Sequence, residues 1–200
     1  MSSMFFAVYT SGLSEALSKI DRASVSQAHR IILQYAQEQA PIYVFGNGGS
    51  ASLSEHFSCD HTKGVRHDTE LRSNIISLAS NMALITAIAN DYSYDDIFSK
   101  QIEAFPNNRG LAIAISASGS SKNVVKGLRA AGQKGLETMA FVGFDGGYVM
   151  DYEMADYVIH VPSDNYGIVE DCHQILMHSI SQAIRSKFFL AKDENHTLRL

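Results

Sequence analysis

Short, nearly unbroken apolar runs alternate with longer stretches of helical spacing along this chain. Five runs read as strands: Ile42-Tyr43-Val44-Phe45, Ile75-Ile76-Ser77-Leu78, Leu111-Ala112-Ile113-Ala114-Ile115, Thr138-Met139-Ala140-Phe141-Val142 and Tyr157-Val158-Ile159-His160-Val161. Strands that are apolar on both faces belong in a parallel sheet covered by helices. Helical character covers about 50–63, 81–104 with a break near Asn90-Asp91, and 121–134. A long helical stretch precedes the first strand, with Leu13, Leu17, Ile20, Ile31, Ile32 and Tyr35 as candidate buried positions, and another runs from about 166 to 189. The alternation predicts an α/β fold, an open doubly wound sheet of five parallel strands joined by right-handed crossovers. With no internal repeat or long linker, the 200 residues read as one domain. It divides into a helical segment at about 3–40, an α/β core at about 41–165 and a final helix at about 166–189. Residues 190–200 are polar and expected to fray.

Composition mainly excludes. The net charge of −5 argues against nucleic acid or an anionic membrane as partner, since both need a basic face. An anionic ligand must then be held by local donors. Charged residues make up only 18% of the chain, a shortage that points to surface buried against another subunit. Cys59 and Cys172 are too few for a disulfide framework and fit a reducing compartment. The N-terminus lacks a basic flank with a signal-like apolar stretch, and no 18-residue apolar run occurs, so the expectation is a soluble, cytoplasmic protein.

In sheets of this kind ligands bind beyond the carboxyl ends of the strands, so the turns there matter most. After the first strand comes Gly46-Asn47-Gly48-Gly49-Ser50 at the start of a helix. Glycines let backbone amides approach an anion, although a plain tight turn accounts for this loop equally well. It lacks the third glycine of a dinucleotide fingerprint and the lysine of a P-loop. After the third strand comes Ser116-Ala117-Ser118-Gly119-Ser120-Ser121. A helix cap explains one or two of its serines; four hydroxyls and a run of amides at a helix start form a phosphate cradle that needs no arginine. Gly143-Phe144-Asp145-Gly146-Gly147 reads as a turn whose glycines serve backbone geometry alone.

Together with His56-Phe57, Ala89-Asn90-Asp91, Asp96-Ile97-Phe98-Ser99, Asp145-Gly146-Gly147 and a final helix carrying His178, these loops resemble the sugar isomerase (SIS) domain family. Within it the likeness is to the phosphoheptose isomerases, from about residue 10 to 189. The resemblance implies a flavodoxin-like SIS fold and a homotetramer with active sites at subunit interfaces. It implies conversion of sedoheptulose 7-phosphate to D-glycero-D-manno-heptose 7-phosphate through an enediol, supplying heptose for lipopolysaccharide or capsule. Ser50, Ser116, Ser118 and Ser121 would hold the phosphate, with Gly48, Gly49 and Ala117 in the same loops, while Asn47 and Asp91 would contact the sugar or shape the pocket.

Aldose–ketose isomerisation needs a base near the carbon beside the carbonyl, and an acid or metal to polarise the oxygens. His56 and Asp60 stand i, i+4 on one helix, and Glu170, Gln174 and His178 run i, i+4, i+8 on another. Two such stripes meeting would supply two imidazoles and two carboxylates, a set suited to Zn2+ with an open position. The resemblance makes His56, Asp60, Glu170 and His178 the metal ligands, Asp60 and His178 also base and acid, and Glu170 a substrate contact. The chain departs from the family twice, with Asp60 where a glutamate stands and Glu170 where a glutamine stands. Those departures keep open a non-catalytic SIS-type phosphosugar binder, or one that associates with a replication initiator, or an isomerase for another sugar phosphate. Elsewhere, His61 and His173 are candidates for supporting the site, Cys59 is expected to pack as a small buried thiol, and His29, His67 and His196 receive no role.

Overall fold

The computed structural model describes residues 2–67, 69–106 and 108–189. Two helices open the chain, α1 (Ser2–Lys19) and α2 (Arg22–Gln37). The sequence pattern reads as one helical stretch; Asp21 divides it, its carboxylate accepting from the amides of Ala23 and Ser24 at 3.0 Å each. An N-cap with an extended backbone cannot continue a helix, so a new one starts there.

Five strands follow: β1 (Pro41–Gly46), β2 (Asn74–Ser77), β3 (Leu111–Ser116), β4 (Glu137–Val142) and β5 (Tyr157–His160). All pair in parallel, in the order β2-β1-β3-β4-β5. This is the doubly wound sheet that the apolar runs predict. Alternation along each strand supplies both faces. Ile42, Val44, Leu111, Ile113, Ile115, Met139 and Phe141 point into a core shared with α1, α2, α3 (Gly49–Cys59) and α8 (Tyr166–Lys187). Tyr43, Phe45, Ala112, Ala114, Ala140 and Val142 point into a second core, which holds residues of α4 (Met82–Asp91), α5 (Ser99–Ala104) and α6 (Lys122–Gln133).

Of the positions expected to be buried, Ile20, Ile31, Ile32 and Tyr35 are, while Leu13 and Leu17 are half-buried against the first core. The stretch expected at 50–63 is α3 continued by a π turn, Asp60–Val65, and the break near Asn90-Asp91 is real, with a 3-10 turn at Tyr94–Asp96 before α5. Residues 190–200, expected to fray, lie outside the described residues. Among the described residues no helix is long and apolar enough to cross a membrane.

The chain leaves β1 for β2 on one side and reaches β3 on the other. The turns after β1 and β3 therefore flank the point where strand order reverses. That crevice is where open α/β sheets take their ligands.

Candidate active site

Both turns lead directly into helices. Helix starts carry amides that no preceding turn satisfies, and both turns place such a start beside the crevice; at α6 the Val124 amide is taken by Asn123 Oδ1 at 2.9 Å. Gly48 caps α3 with no side-chain hydrogen bond, and Ser121 caps α6 the same way, so neither cap commits a side chain. Ser50 and Ser116 are buried, Ser118 and Ser121 half-buried.

The serine loop is held open by its own backbone. Gly119 donates to the carbonyl and the hydroxyl of Ser116, both at 3.2 Å, and has a φ of +61°. A β-carbon there would collide with the Gly146 carbonyl. The turn Gly143–Gly147, expected to be plain geometry, therefore braces the loop. Ala117 accepts from Gly143 at 2.9 Å, Gly119 accepts from Val149 at 3.1 Å, and Ser120 Oγ accepts from the Tyr148 amide at 3.3 Å. A short helix, α7 (Gly147–Asp151), starts at this turn and was not legible from the sequence.

Asn47 ties the two turns together. Its side-chain nitrogen donates to Asn123 Oδ1 at 2.8 Å, and its oxygen accepts from Asn123 Nδ2 at 2.9 Å. Tyr94 also donates to that oxygen, at 3.0 Å. Asn123, buried at the start of α6, had no signal of its own in the sequence; only the closeness of the two helix starts reveals it. Asp91 ends α4 on the surface, accepting from the Asn90 side chain at 2.9 Å.

Further along the same helix, and across from it on α8, a second group of side chains converges. His56 Nε2 lies 3.1 Å from His178 Nε2, and Asp60 reaches both, Oδ1 to His56 at 3.4 Å and Oδ2 to His178 at 3.6 Å. Asp60 Oδ2 is buried with no hydrogen-bond partner. Three donor atoms within 4.8 Å of one another, one of them an orphaned carboxylate oxygen, suit a divalent cation of nitrogen–oxygen preference. Gln174, the amide within the same i, i+4 stripe, lies 2.8 Å from His178 Nε2. Glu170, expected in the same set, lies outside the cluster. Its carboxylate rests against Gly49, where any β-carbon would strike it.

The remaining candidates divide by burial. His61 and His173 are both buried. Burial pushes His61 down to about 3, with Ser73 3.3 Å from its Nδ1. Burial likewise pushes His173 down to about 4, against Phe141. Both rings are core groups held neutral. Cys59 is exposed, contrary to the expected buried thiol, because it lies off the face of α3 that buries Leu53, Ser54 and Phe57. Cys172 is the buried one.

The profile of the SIS domain matches residues 5–143, more than half of the chain. The chain belongs to the SIS domain family. Its relatives include the phosphoheptose isomerase of Helicobacter pylori (strain P12), 33% identical over 92% of this chain and 93% of that protein. A probable phosphoheptose isomerase of Thermoplasma acidophilum is 41% identical over 74% of this chain and 79% of its own length. Among solved structures, phosphoheptose isomerase from Neisseria gonorrhoeae superposes with a TM-score of 0.82 at 28% identity, over 93% of this chain and 100% of that one. A SIS domain with this sheet order accounts for why two loops from distant parts of the chain share one crevice.

Proposed function

We propose that this SIS protein is a phosphoheptose isomerase, converting sedoheptulose 7-phosphate to D-glycero-D-manno-heptose 7-phosphate in the cytoplasm. The observation that carries the reading is the pairing of a phosphate cradle with a base–imidazole cluster, joined through α3. Ser50, Ser116, Ser118 and Ser121, with the amides of Gly48, Gly49 and Ala117, bind the phosphate. Asn47 and Asp91 border the sugar chain, and Glu170, over Gly49, contacts it between the two ends.

At the reacting end Asp60 takes the proton from the hydroxyl-bearing carbon next to the ketone, and the electrons move into the enediol. His178 gives a proton to the former carbonyl oxygen. Return of the proton to the neighbouring carbon and loss of the other hydroxyl proton complete the aldose. His56, Asp60 and His178 would hold Zn2+, with Gln174 adjacent; when bound, the ion would polarise the two oxygens that exchange roles. Asp60 is one methylene shorter than the glutamate of its relatives, and its approach to both imidazoles supports its taking that place. A protein that only bound phosphosugars would have no use for this convergence.

The active form is a homotetramer with sites completed at subunit interfaces. Its support is apolar surface without cover: Met4, Phe5, Phe6 and Val8 on α1 are each at least 65% exposed, and Met82 and Leu84 are exposed on α4. The purified chain incubated with sedoheptulose 7-phosphate and Zn2+, with aldose formation followed, tests the reaction. No turnover by metal-loaded protein that binds the phosphate ester would refute it.

A further inference from the structure

Beside the serine loop, on its outer side, lies a second cavity of about 420 Å3, the size of a small-molecule site. It combines two features that the proposed isomerase site does not use. One is aromatic: Tyr148 and Tyr152, on and just after α7, stack with ring centroids 5.6 Å apart and planes 26° from parallel. They remain 51% and 66% exposed, so one face of the pair is free. The other is cationic. Lys122, Lys126 and Arg129 stand i, i+4, i+7 along α6 and line the same cavity.

Lys126 is paired with Asp96 at 2.7 Å. Lys122 and Arg129 make no hydrogen bond or ion pair among the described residues. Two unpaired cations facing one cavity, in a chain of net charge −5, are a local reversal of sign that favours an anion. The apolar side chains of Val125 and Met154 also line the cavity and supply a dry surface for a flat ring. A simple phosphate ester would leave the tyrosines and this apolar lining unused. A ligand with a planar base at one end and a short phosphate chain at the other would use everything present, the base on the tyrosine pair and the phosphates on Lys122 and Arg129.

We propose that this cavity is a binding site for a nucleoside diphosphate, separate from the serine-loop crevice. Its place gives it a route to that crevice. Ser120 lines the cavity, and its hydroxyl accepts from the amide of Tyr148. A base seated on Tyr148 therefore bears on the turn that braces the serine loop.

The probe is ADP, titrated calorimetrically into the full-length protein, with adenosine and pyrophosphate as separate arms. The expected result is saturable ADP binding, with adenosine and pyrophosphate each at least tenfold weaker. Tyr148→Ala and Arg129→Gln, both surface changes whose folding circular dichroism verifies, should each weaken ADP at least tenfold, and Ser118→Ala should leave it within twofold. Absence of saturation at millimolar ADP would overturn the proposal. So would pyrophosphate binding as tightly as ADP, since the tyrosines would then contribute nothing. Loss of ADP binding in Ser118→Ala with retention in Arg129→Gln would place the nucleotide in the serine loop and overturn it equally. None of these readouts depends on isomerase activity, so failure here and failure of the isomerase assignment are separable.

Discussion

Replacing Gly119 by alanine tests how the serine loop is built. The residue has a φ of +61°, where an L side chain costs about 1–2 kcal/mol. Its new β-carbon would also meet the Gly146 carbonyl, so the brace must shift. A shift puts the Val149–Gly119 hydrogen bond at risk, worth about 1 kcal/mol. If the loop keeps its shape, the protein should lose about 2–3 kcal/mol of stability. If the loop moves instead, less stability is lost and the phosphate grip suffers. One charged hydrogen bond to phosphate is worth about 1.5–3 kcal/mol, which corresponds to a KM higher by roughly 10- to 100-fold. The assay is urea unfolding at one fixed protomer concentration, because subunit association would otherwise shift the midpoint, alongside steady-state kinetics. Gly132→Ala is the control. That glycine lies within α6, facing open space, and its replacement should stabilise by about 0.5–1 kcal/mol with KM unchanged. A Gly119→Ala protein with unaltered unfolding midpoint and unaltered KM would refute the claim that the Gly146 turn holds the loop in its binding shape.

Other expectations follow from the same geometry. His178→Ala should lower kcat on the order of 10²- to 10⁴-fold while phosphate-ester binding persists, and Ser118→Ala should chiefly raise KM; a change confined to KM in both would mean the roles are wrongly divided. His173 titrates near 6.5 when unfolded but is held down to about 4 by burial, so the unfolded chain binds the extra proton and stability is lost as pH falls from 6.5 toward 4. By pH 4.5 the loss from this one ring is about 2–3 kcal/mol, and an unfolding series on His173→Leu should show a correspondingly flatter pH dependence than the wild type. Tyr9 donates to Asp171 at 2.7 Å and joins α1 to α8; that bond, with burial, pushes its pKa up to about 12. The site is largely exposed, so Tyr9→Phe should cost no more than about 1 kcal/mol in thermal unfolding, and a larger loss would mean that the α1–α8 contact depends on it far more.

Much of the fold was legible because β1, β3 and β4 are buried on both faces, and burial on both faces writes itself as continuous apolar sequence. The helix starts were legible for a related reason: glycine and serine clusters are what a strand-to-helix turn with free amides requires. The division at Asp21 was harder to see, since Asp21 lies inside an otherwise unbroken helical pattern and a cap is decided by backbone direction. Cys59 differs from its expectation because the buried face of α3 runs through Ser50, Leu53, Ser54 and Phe57 and leaves position 59 toward solvent, which the helical period alone could have indicated.

The sequence by itself determined the strands, their parallel pairing, and the two loops that carry phosphate-binding character, since all of these depend on local pattern and on short-range backbone chemistry. It also determined that His56 and Asp60 share one helix face and Gln174 and His178 another. Only the tertiary structure decided that the two faces meet with their nitrogens 3.1 Å apart, that Glu170 turns toward Gly49, and that Asn123 and the Gly146 turn support the loops. Spacing fixes direction within a helix, whereas distance between helices depends on how α3 and α8 pack on the sheet, a property that no segment carries alone.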